Sequence, residues 1–185
     1  MLPYNKRTVR VTSPFGMRTL AGKTAMHKGI DLVGYDKNVL AVEGGEVLFS
    51  RMVDKSTGNR TWEWGNYICI RTDDGMLHYY CHLDSRAVRV GDKVAKGQVI
   101  GKEGSTGYST GNHLHFEVRD KNGISVDPSD VLGIPNRTGT YDAERLYHRE
   151  MVGDACGFEE KTLDYLDKYT YAPDMWRKLW EAIRK

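Results

Sequence analysis

Hydrophobic and polar residues alternate in short runs along most of the chain, from about residue 8 to residue 132. Alternation places every second side chain on the same face, which is typical of β-strands. Turn sequences such as Gly44-Gly45 and Asn122-Gly123 separate the runs. The pattern predicts strands over residues 8–12, 39–49, 67–71, 76–82, 98–101 and 113–119. Short strands joined by such turns favour an antiparallel β architecture.

The hydrophobic period changes to that of a helix after residues 135–139. Three apolar stripes follow: Ala143, Leu146, Tyr147 and Met151; Phe158, Leu163 and Leu166; and Met175, Trp176, Leu179, Trp180 and Ile183. Each stripe predicts a short helix with one apolar face. We therefore predict a mainly β domain over residues 1–135 and a C-terminal helical extension over residues 136–185.

The longest interval between predicted strands covers residues 50–65 and contains Trp62 and Trp64. Long loops in compact domains are often functional, so one interpretation is that this loop walls a substrate groove. The other interpretation is that the two tryptophans fold back onto the sheet. The sequence leaves both open.

Histidine and aspartate residues are concentrated in three fragments of the predicted β domain. The fragments contain His27 and Asp31, then His82, then His113 and His115. Zinc in hydrolytic enzymes usually takes three protein ligands and leaves a fourth position for water. The metal lowers the pKa of that water and so provides a nucleophile for hydrolysis. These residue types therefore point to a catalytic zinc site, although each fragment alone is also typical of surface pairs.

Strand geometry brings these side chains onto common faces. Residues 112–118 predict a strand on which His113, His115 and Glu117 share one face. Adjacent histidines on that face are roughly 7 Å apart, so one can bind a metal while the other contacts substrate. Residues 27–31 read as a second strand that directs His27 and Asp31 to one side. The chain contains no His-Glu-x-x-His motif, which excludes a helix-based zinc protease.

Four motifs then occur in a distinctive order. They are His-x-x-x-Asp at 27–31, Tyr-x-His-Leu at 80–83, Gly-Asp-x-Val-x-x-Gly-Gln-x-Ile-Gly at 91–101, and Ser-Thr-Gly-x-His-Leu-His-Phe-Glu-Val at 109–118. Together they resemble the lysostaphin-type (LytM-like) zinc metalloendopeptidases of bacterial cell walls. The resemblance covers about residues 8 to 132. Asn112 stands where that family often has proline.

The resemblance implies an antiparallel two-sheet β fold and a role for each candidate residue. His27, Asp31 and His115 would bind zinc, while His82 and His113 would be catalytic histidines that do not bind the metal. His113 is assigned to proton transfer and His82 to the oxyanion, and the two assignments are interchangeable. The expected activity is endopeptidase cleavage of peptide cross-links or stem peptides in peptidoglycan. The alternative is a catalytically silent wall-binding or virion module, because some relatives have lost the zinc ligands.

Composition limits the partners and the compartment. The 185 residues carry a net charge of +2, which gives no indication of nucleic-acid binding. No segment is apolar enough to span a membrane or to serve as a signal peptide. We therefore expect synthesis in the cytoplasm and action on the wall after lysis, or as part of a phage particle. Cys69, Cys81 and Cys156 are expected to be free thiols, and Cys81 should point away from His82 on a regular strand.

The apolar stripe from Met175 to Ile183 requires burial, because three short helices alone make a poor independent domain. We expect it to pack on the β domain or on a second copy of the chain. Deleting residues 140–185 should therefore lower the melting temperature or cause aggregation. Circular dichroism melts and light scattering on the full and shortened chains measure this. A shortened chain of equal stability and solubility would instead identify the extension as a separable targeting device.

Overall fold

The protein is mainly β with helices at its C-terminal end, as predicted. A computed structural model describes residues 1–5, 7–20, 22–57, 62–168 and 172–184. It has two compact units, residues 1–141 and residues 142–185. The division lies later in the chain than the predicted boundary after residue 135. No described helix combines the length and the apolar character that a bilayer span requires.

The first unit contains the strands, two 3-10 turns (Lys55–Thr57 and Trp62–Trp64) and one short helix, α1 (Ser129–Leu132). The strands are β1 (Thr8–Ser13), β2 (Gly16–Leu20), β3 (Lys23–His27), β4 (Ile30–Gly34), β5 (Asn38–Leu40), β6 (Gly45–Val53), β7 (Gly65–Thr72), β8 (Leu77–Arg86), β9 (Lys93–Val94), β10 (Val99–Glu103), β11 (Leu114–Arg119), β12 (Ser125–Val126) and β13 (Gly139–Asp142).

The main sheet has the strand order β13-β1-β4-β11-β8-β7-β6-β9. Strand β10 pairs with β5 and β8, and β12 pairs with β11. Strand β11 lies between β4 and β8 and runs antiparallel to both. Strands β2 and β3 form a separate two-stranded hairpin. Leu114, Phe116 and Val118 of β11 are fully buried, as their alternation predicted.

Two predicted strands are wrong in their bounds. Residues 39–49 form two strands, β5 and β6, rather than one. Residues 27–31 are also interrupted, because His27 ends β3 and Ile30 begins β4. The interruption lies at Gly29, which passes so close to β11 that an added Cβ would be 2.5 Å from the Phe116 carbonyl oxygen. The hairpin of β2 and β3 was not predicted.

The side chains of β8 do not alternate regularly between the two faces of the sheet along the whole strand. It pairs Cys81 with His115, and directly paired residues share a face, so the Cys81 side chain lies on the His115 side of the sheet. The pairing of β8 with β7 then shifts by one residue after Tyr80. This β-bulge returns His82 to the same side. The prediction that Cys81 and His82 point to opposite faces is wrong, because it assumed a regular strand.

His78 has the same strand parity as His82, which would predict a position at the rim of the cleft, but it lies in the core instead. Its exposed fraction is 2%, and its register partner is Val118 on the opposite, core-facing side of the sheet. The ring packs edge-on against Phe116, with ring centroids 5.4 Å apart. The buried Nδ1 atom has no hydrogen-bond partner among the described residues. Burial lowers the pKa of His78 to about 4, so the ring is neutral near pH 7.

Trp64 folds back onto the sheet. Its ring centroid is 5.1 Å from that of Tyr67 and 5.1 Å from that of Tyr79. This supports the second interpretation of residues 50–65 for Trp64, while the side chain of Trp62 lies outside the described residues. The three cysteines are free thiols, as expected, with Cys69 and Cys81 buried and Cys156 exposed.

The second unit contains the three predicted helices, α2 (Ala143–Cys156), α3 (Glu160–Leu166) and α4 (Ala172–Ile183). Trp176 of α4 is fully buried and packs with Val152 and Leu163. Its indole N–H donates to Asp167 Oδ1 at 2.7 Å, and Arg145 Nη2 of α2 donates to the same oxygen at 2.8 Å. Asp167 therefore links the three helices through one carboxylate.

The buried ring of His78 should make stability depend on pH. Its folded-state pKa is lower than its unfolded value, so the unfolded chain binds more protons between about pH 6.5 and pH 4. The free energy of unfolding is therefore unaffected by His78 protonation above this window, and it decreases as the pH drops through the window. Between pH 7.5 and pH 5 the parent chain should lose unfolding free energy, and replacing His78 by Leu should make that loss smaller by about 2 kcal/mol. Urea titrations at the two pH values measure the difference.

The matched control is His148→Leu in α2, at a partly exposed position. That variant should keep the pH slope of the parent chain. An unchanged slope in His78→Leu would contradict the assignment of this destabilisation to His78.

Candidate metal centre and catalytic histidines

Three buried side chains from three segments meet at one point. Asp31 of β4 and His115 of β11 are direct register partners, so their side chains lie next to each other. His27 reaches the same point from the end of β3. His27 Nε2 is 3.1 Å from Asp31 Oδ1 and 3.1 Å from His115 Nδ1, and the latter two atoms are 2.9 Å apart.

The three facing atoms can all act as acceptors when both rings are neutral. The Nδ1 atom of His27 lies 2.7 Å from the Pro14 carbonyl oxygen, which can only accept, so the proton is on Nδ1 and Nε2 has a lone pair. His115 Nε2 lies 3.6 Å from a Glu117 carboxylate oxygen, so a neutral His115 ring that keeps its proton on Nε2 presents the lone pair of Nδ1 to the other two atoms. Three lone pairs converging in a buried position require a cation between them.

The triangle of acceptors has the size of a metal site. Nitrogen and oxygen ligands at zinc distances in a tetrahedron are about 3.3 Å from one another. The edges here are 2.9 to 3.1 Å. Within the described part of the chain, His27, Asp31 and His115 are also the one group of metal-ligating side chains that converges in this way. The donor set therefore fits zinc.

Arg18 holds the other oxygen of the aspartate. Its Nη1 atom donates to Asp31 Oδ2 at 3.1 Å and to Ser13 Oγ at 2.5 Å. Because Oδ2 is occupied by the guanidinium, Asp31 presents only Oδ1 to the acceptor triangle. A single oxygen from the aspartate leaves room for a further ligand.

Glu117 supports His115 from behind. The carboxylate has an exposed fraction of 1% and accepts from Arg119 Nε at 2.6 Å and Ser125 Oγ at 2.7 Å. The Arg119 guanidinium in turn lies over the Tyr79 ring, 4.6 Å from its centroid. Burial would raise the pKa of Glu117, but donors on His115, Arg119 and Ser125 lower it to about 2. Glu117 is therefore a permanent anion beside the His115 ring.

Asp31 and Glu117 also determine the proton affinity of His115. Burial disfavours the imidazolium, yet the two carboxylates outweigh it and raise the pKa of His115 to about 9. Burial would raise the pKa of Asp31, but the neighbouring His115 and His27 rings hold it far below its usual value. In the absence of metal a proton thus satisfies the triangle, and metal binding must displace it.

His82 and His113 lie beside the triangle without entering it. Their ring centroids are 4.7 Å apart, and the His82 ring is 5.9 Å from that of His115. His82 Nδ1 lies 2.9 Å from the Thr106 carbonyl oxygen, and His113 Nδ1 lies 2.8 Å from the Gly111 carbonyl oxygen. Both rings therefore carry the proton on Nδ1 and have a free lone pair on Nε2.

The structure thus brings together all five residues singled out in the sequence, and adds Arg18 and Thr106. Arg18 could have been found from the hairpin pattern, because Gly16 pairs with His27 and Arg18 lies on the same face two residues later. Thr106 gave no such indication. It follows β10 in an irregular segment, where side-chain direction cannot be counted.

Comparison with known proteins agrees with this geometry. The profile of Peptidase family M23 matches residues 25–128, which contain all three triangle residues and both neighbouring histidines. The chain is 38% identical over 125 residues to the peptidoglycan DD-endopeptidase ShyC of Vibrio cholerae, covering 66% of this chain and 27% of ShyC. It is 36% identical over 117 residues to the murein hydrolase activator NlpD of Escherichia coli, covering 63% of this chain and 28% of NlpD.

A solved structure shows the same fold. The catalytic domain of lysostaphin from Staphylococcus simulans superposes with a TM-score of 0.53 and 32% identity, covering 69% of this chain and 92% of that domain. The chain spans less than a third of the two curated relatives named above. The lysostaphin-type resemblance of its motifs is confirmed, and the chain belongs to peptidase family M23.

Proposed function

We propose that this chain is a zinc-dependent endopeptidase that hydrolyses peptide cross-links or stem peptides of bacterial peptidoglycan. One observation carries the proposal. Three buried acceptors, His27 Nε2, Asp31 Oδ1 and His115 Nδ1, converge within 3.1 Å of one another, next to two imidazoles that lie outside the triangle. Three groups that can each turn a lone pair to one buried point form a metal site, in which the metal takes the place of the proton that is bound in its absence.

The acceptor triangle holds the metal in this proposal. Zinc bound there supplies Lewis acidity and a water of lowered pKa. Arg18 keeps Asp31 to one ligating oxygen, and Glu117 keeps the His115 ring turned so that Nδ1 faces inward. These contacts fix the ligands before substrate arrives.

His82 and His113 accept and donate protons in the proposed reaction. In the neutral form each has its lone pair on Nε2, so each can accept a proton but cannot donate one from that atom. A ring that has accepted a proton can then donate it to an oxyanion or to the leaving amine. We assign His113 as the base and His82 as the oxyanion donor. Because both rings have the same tautomer, these two roles are interchangeable.

The relatives support the substrate class. ShyC is a peptidoglycan endopeptidase by name, and lysostaphin is described as an antimicrobial peptidase. Delivery to the wall by lysis or on a phage particle stays a prediction, as does self-association through the C-terminal helices.

A second candidate is a module that binds the wall or activates another hydrolase, as the name of NlpD indicates for that relative. The five metal and catalytic positions count against it, because a silent module has no need of them. Purified protein incubated with wall material separates the two. Loss of turbidity together with new free amines identifies an enzyme, whereas binding without release of amines identifies a module.

The first prediction concerns metal binding. His115→Ala and Asp31→Ala should each lose the metal and the activity together, because each removes one corner of the triangle. Elemental analysis of the purified variants measures zinc per chain, and circular dichroism checks the fold. A folded variant that retains one zinc per chain would show that the ligand assignment is wrong.

The second prediction concerns catalysis. His82→Ala and His113→Ala should keep the zinc content of the parent chain and lose on the order of 10²- to 10⁴-fold in rate, because each removes a proton-handling group. The double variant should be far less than multiplicatively slower, since groups that act as a unit are not additive. Loss of metal in His113→Ala, or an unchanged rate in His82→Ala, contradicts this division of roles.

A further inference from the structure

His82 has an unusual backbone. Its φ is 64°, and among the described residues no other side-chain-bearing residue has a positive φ. Left-handed conformations cost energy in residues with a Cβ, so they persist only where the surroundings impose them. His82 also has no register partner on β11, because the pairing of β8 with β11 ends at Cys81. Beyond it, Leu83 pairs with Glu103 of β10.

The bulge decides which side of the sheet His82 faces. In the regular part of β8, Tyr80 is paired with Phe116 on the core side and Cys81 with His115 on the site side. Plain alternation would therefore turn His82 into the core. The extra residue opposite Tyr67 and the left-handed backbone turn it toward the site instead. The function of His82 thus depends on whatever holds this bulge.

Thr106 makes four hydrogen bonds around the bulge. Its carbonyl oxygen accepts from His82 Nδ1 at 2.9 Å, and its backbone N–H donates to the His82 carbonyl at 3.4 Å. Its hydroxyl donates to the Leu83 carbonyl at 2.8 Å and accepts from the Asn66 backbone N–H at 3.0 Å. Backbone and side chain of one residue therefore tie β8 to the start of β7.

The segments around Thr106 are packed too closely to shift independently. A Cβ added to Gly107 would be 2.3 Å from the Glu63 carbonyl oxygen, and one added to Gly65 would be 2.4 Å from the Thr106 carbonyl carbon. The backbone N–H of Tyr108 also donates to the Glu63 carbonyl at 2.8 Å. The Thr106 carbonyl is thereby held in a fixed place relative to His82.

We propose that Thr106 is a positioning residue for His82: its hydroxyl holds the bulge, and its carbonyl fixes the His82 ring with the proton on Nδ1 and the lone pair of Nε2 in the site. The proposal rests on the proposed function for its catalytic consequence. The structural part concerns only the orientation and tautomer of one ring, and it can be measured without substrate.

The chain supplies its own control. Ser105-Thr106-Gly107 is repeated as Ser109-Thr110-Gly111 in the same segment. Thr110 is exposed, and its hydroxyl makes no hydrogen bond within the described ranges. Thr106→Val removes the two hydroxyl bonds at nearly constant shape, and Thr106→Ser keeps them. Thr110→Val makes the same chemical change at a hydroxyl that has neither of these bonds.

The experiment is nitrogen NMR of histidine-labelled, zinc-loaded protein, in which the two ring nitrogens report the tautomer. The His82 signals are those missing from His82→Ala. The parent chain, Thr106→Ser and Thr110→Val should show a single Nδ1–H tautomer for His82. Thr106→Val should show averaged tautomers with rapid exchange of that proton, at unchanged zinc content. If Thr106→Val does not fold, Thr106→Cys, whose thiol is a weak donor and acceptor, replaces it.

Hydrolysis of wall peptides supplies the second readout. Thr106→Val should lower kcat by about tenfold or more, with little change in KM. This loss in kcat should be smaller than the loss in His82→Ala, because the ring is still present. Thr106→Ser and Thr110→Val should retain the parent rate. A fixed Nδ1–H tautomer together with an undiminished rate in Thr106→Val overturns the proposal, as does an equal loss in Thr110→Val. A parent chain that hydrolyses nothing refutes the proposed function, and the NMR result still decides the role of Thr106.

Discussion

The hydrogen-bond register of β11 with its two neighbours is the constraint on which the site depends. It pairs His115 with Asp31 on one side and with Cys81 on the other. The first pairing creates two corners of the acceptor triangle directly from backbone geometry. The second fixes where β8 must bulge to bring His82 alongside. A slip of one residue would turn His115 into the core and Phe116 into the site, because side chains on a strand alternate. The buried Leu114, Phe116 and Val118 oppose such a slip, so the apolar core sets the position of the polar site.

Buried carboxylates in this fold fall into two kinds. Glu103 is satisfied by the Tyr4 hydroxyl at 2.6 Å, the Gly34 backbone N–H at 3.0 Å and the Lys37 ammonium. Glu117 likewise faces only donors. Asp31 differs, since Oδ2 accepts from Arg18 while Oδ1 faces two ring nitrogens, one of which, His27 Nε2, has its proton on the other side of the ring. A buried oxygen surrounded by lone pairs is costly in a structural network. That difference sets Asp31 apart from Glu103 and Glu117 without reference to any relative.

Local patterns predicted the parts of the molecule that are locally regular. Strand β11 follows simple alternation at His115 and at its core residues, and His113 directly precedes it. The helical stripes predicted α2, α3 and α4 because each has its own period. Alternation failed at His82, where a bulge inserts one residue, and at Gly29, where a close approach to β11 interrupts the chain. Arg18 depends on a hairpin register that was not predicted, and Thr106 acts through partners distant in sequence, on which a local pattern contains no information. The ligand roles came from the motif resemblance, and alternation supplied only the shared faces.

The hairpin of β2 and β3 stands outside the main sheet, yet it contributes His27 and Arg18 to the acceptor site. Two-stranded hairpins are marginally stable by themselves. This one is held at its base by Asn136, whose side chain bonds to both backbone groups of Phe15, and at its far strand by the site itself. A cation that binds His27 together with Asp31 and His115 therefore ties the hairpin to β4 and β11 of the main sheet. By linkage, the order of the hairpin and the affinity for the cation rise and fall together. The hairpin is therefore more ordered when a cation occupies the site than when the site binds none.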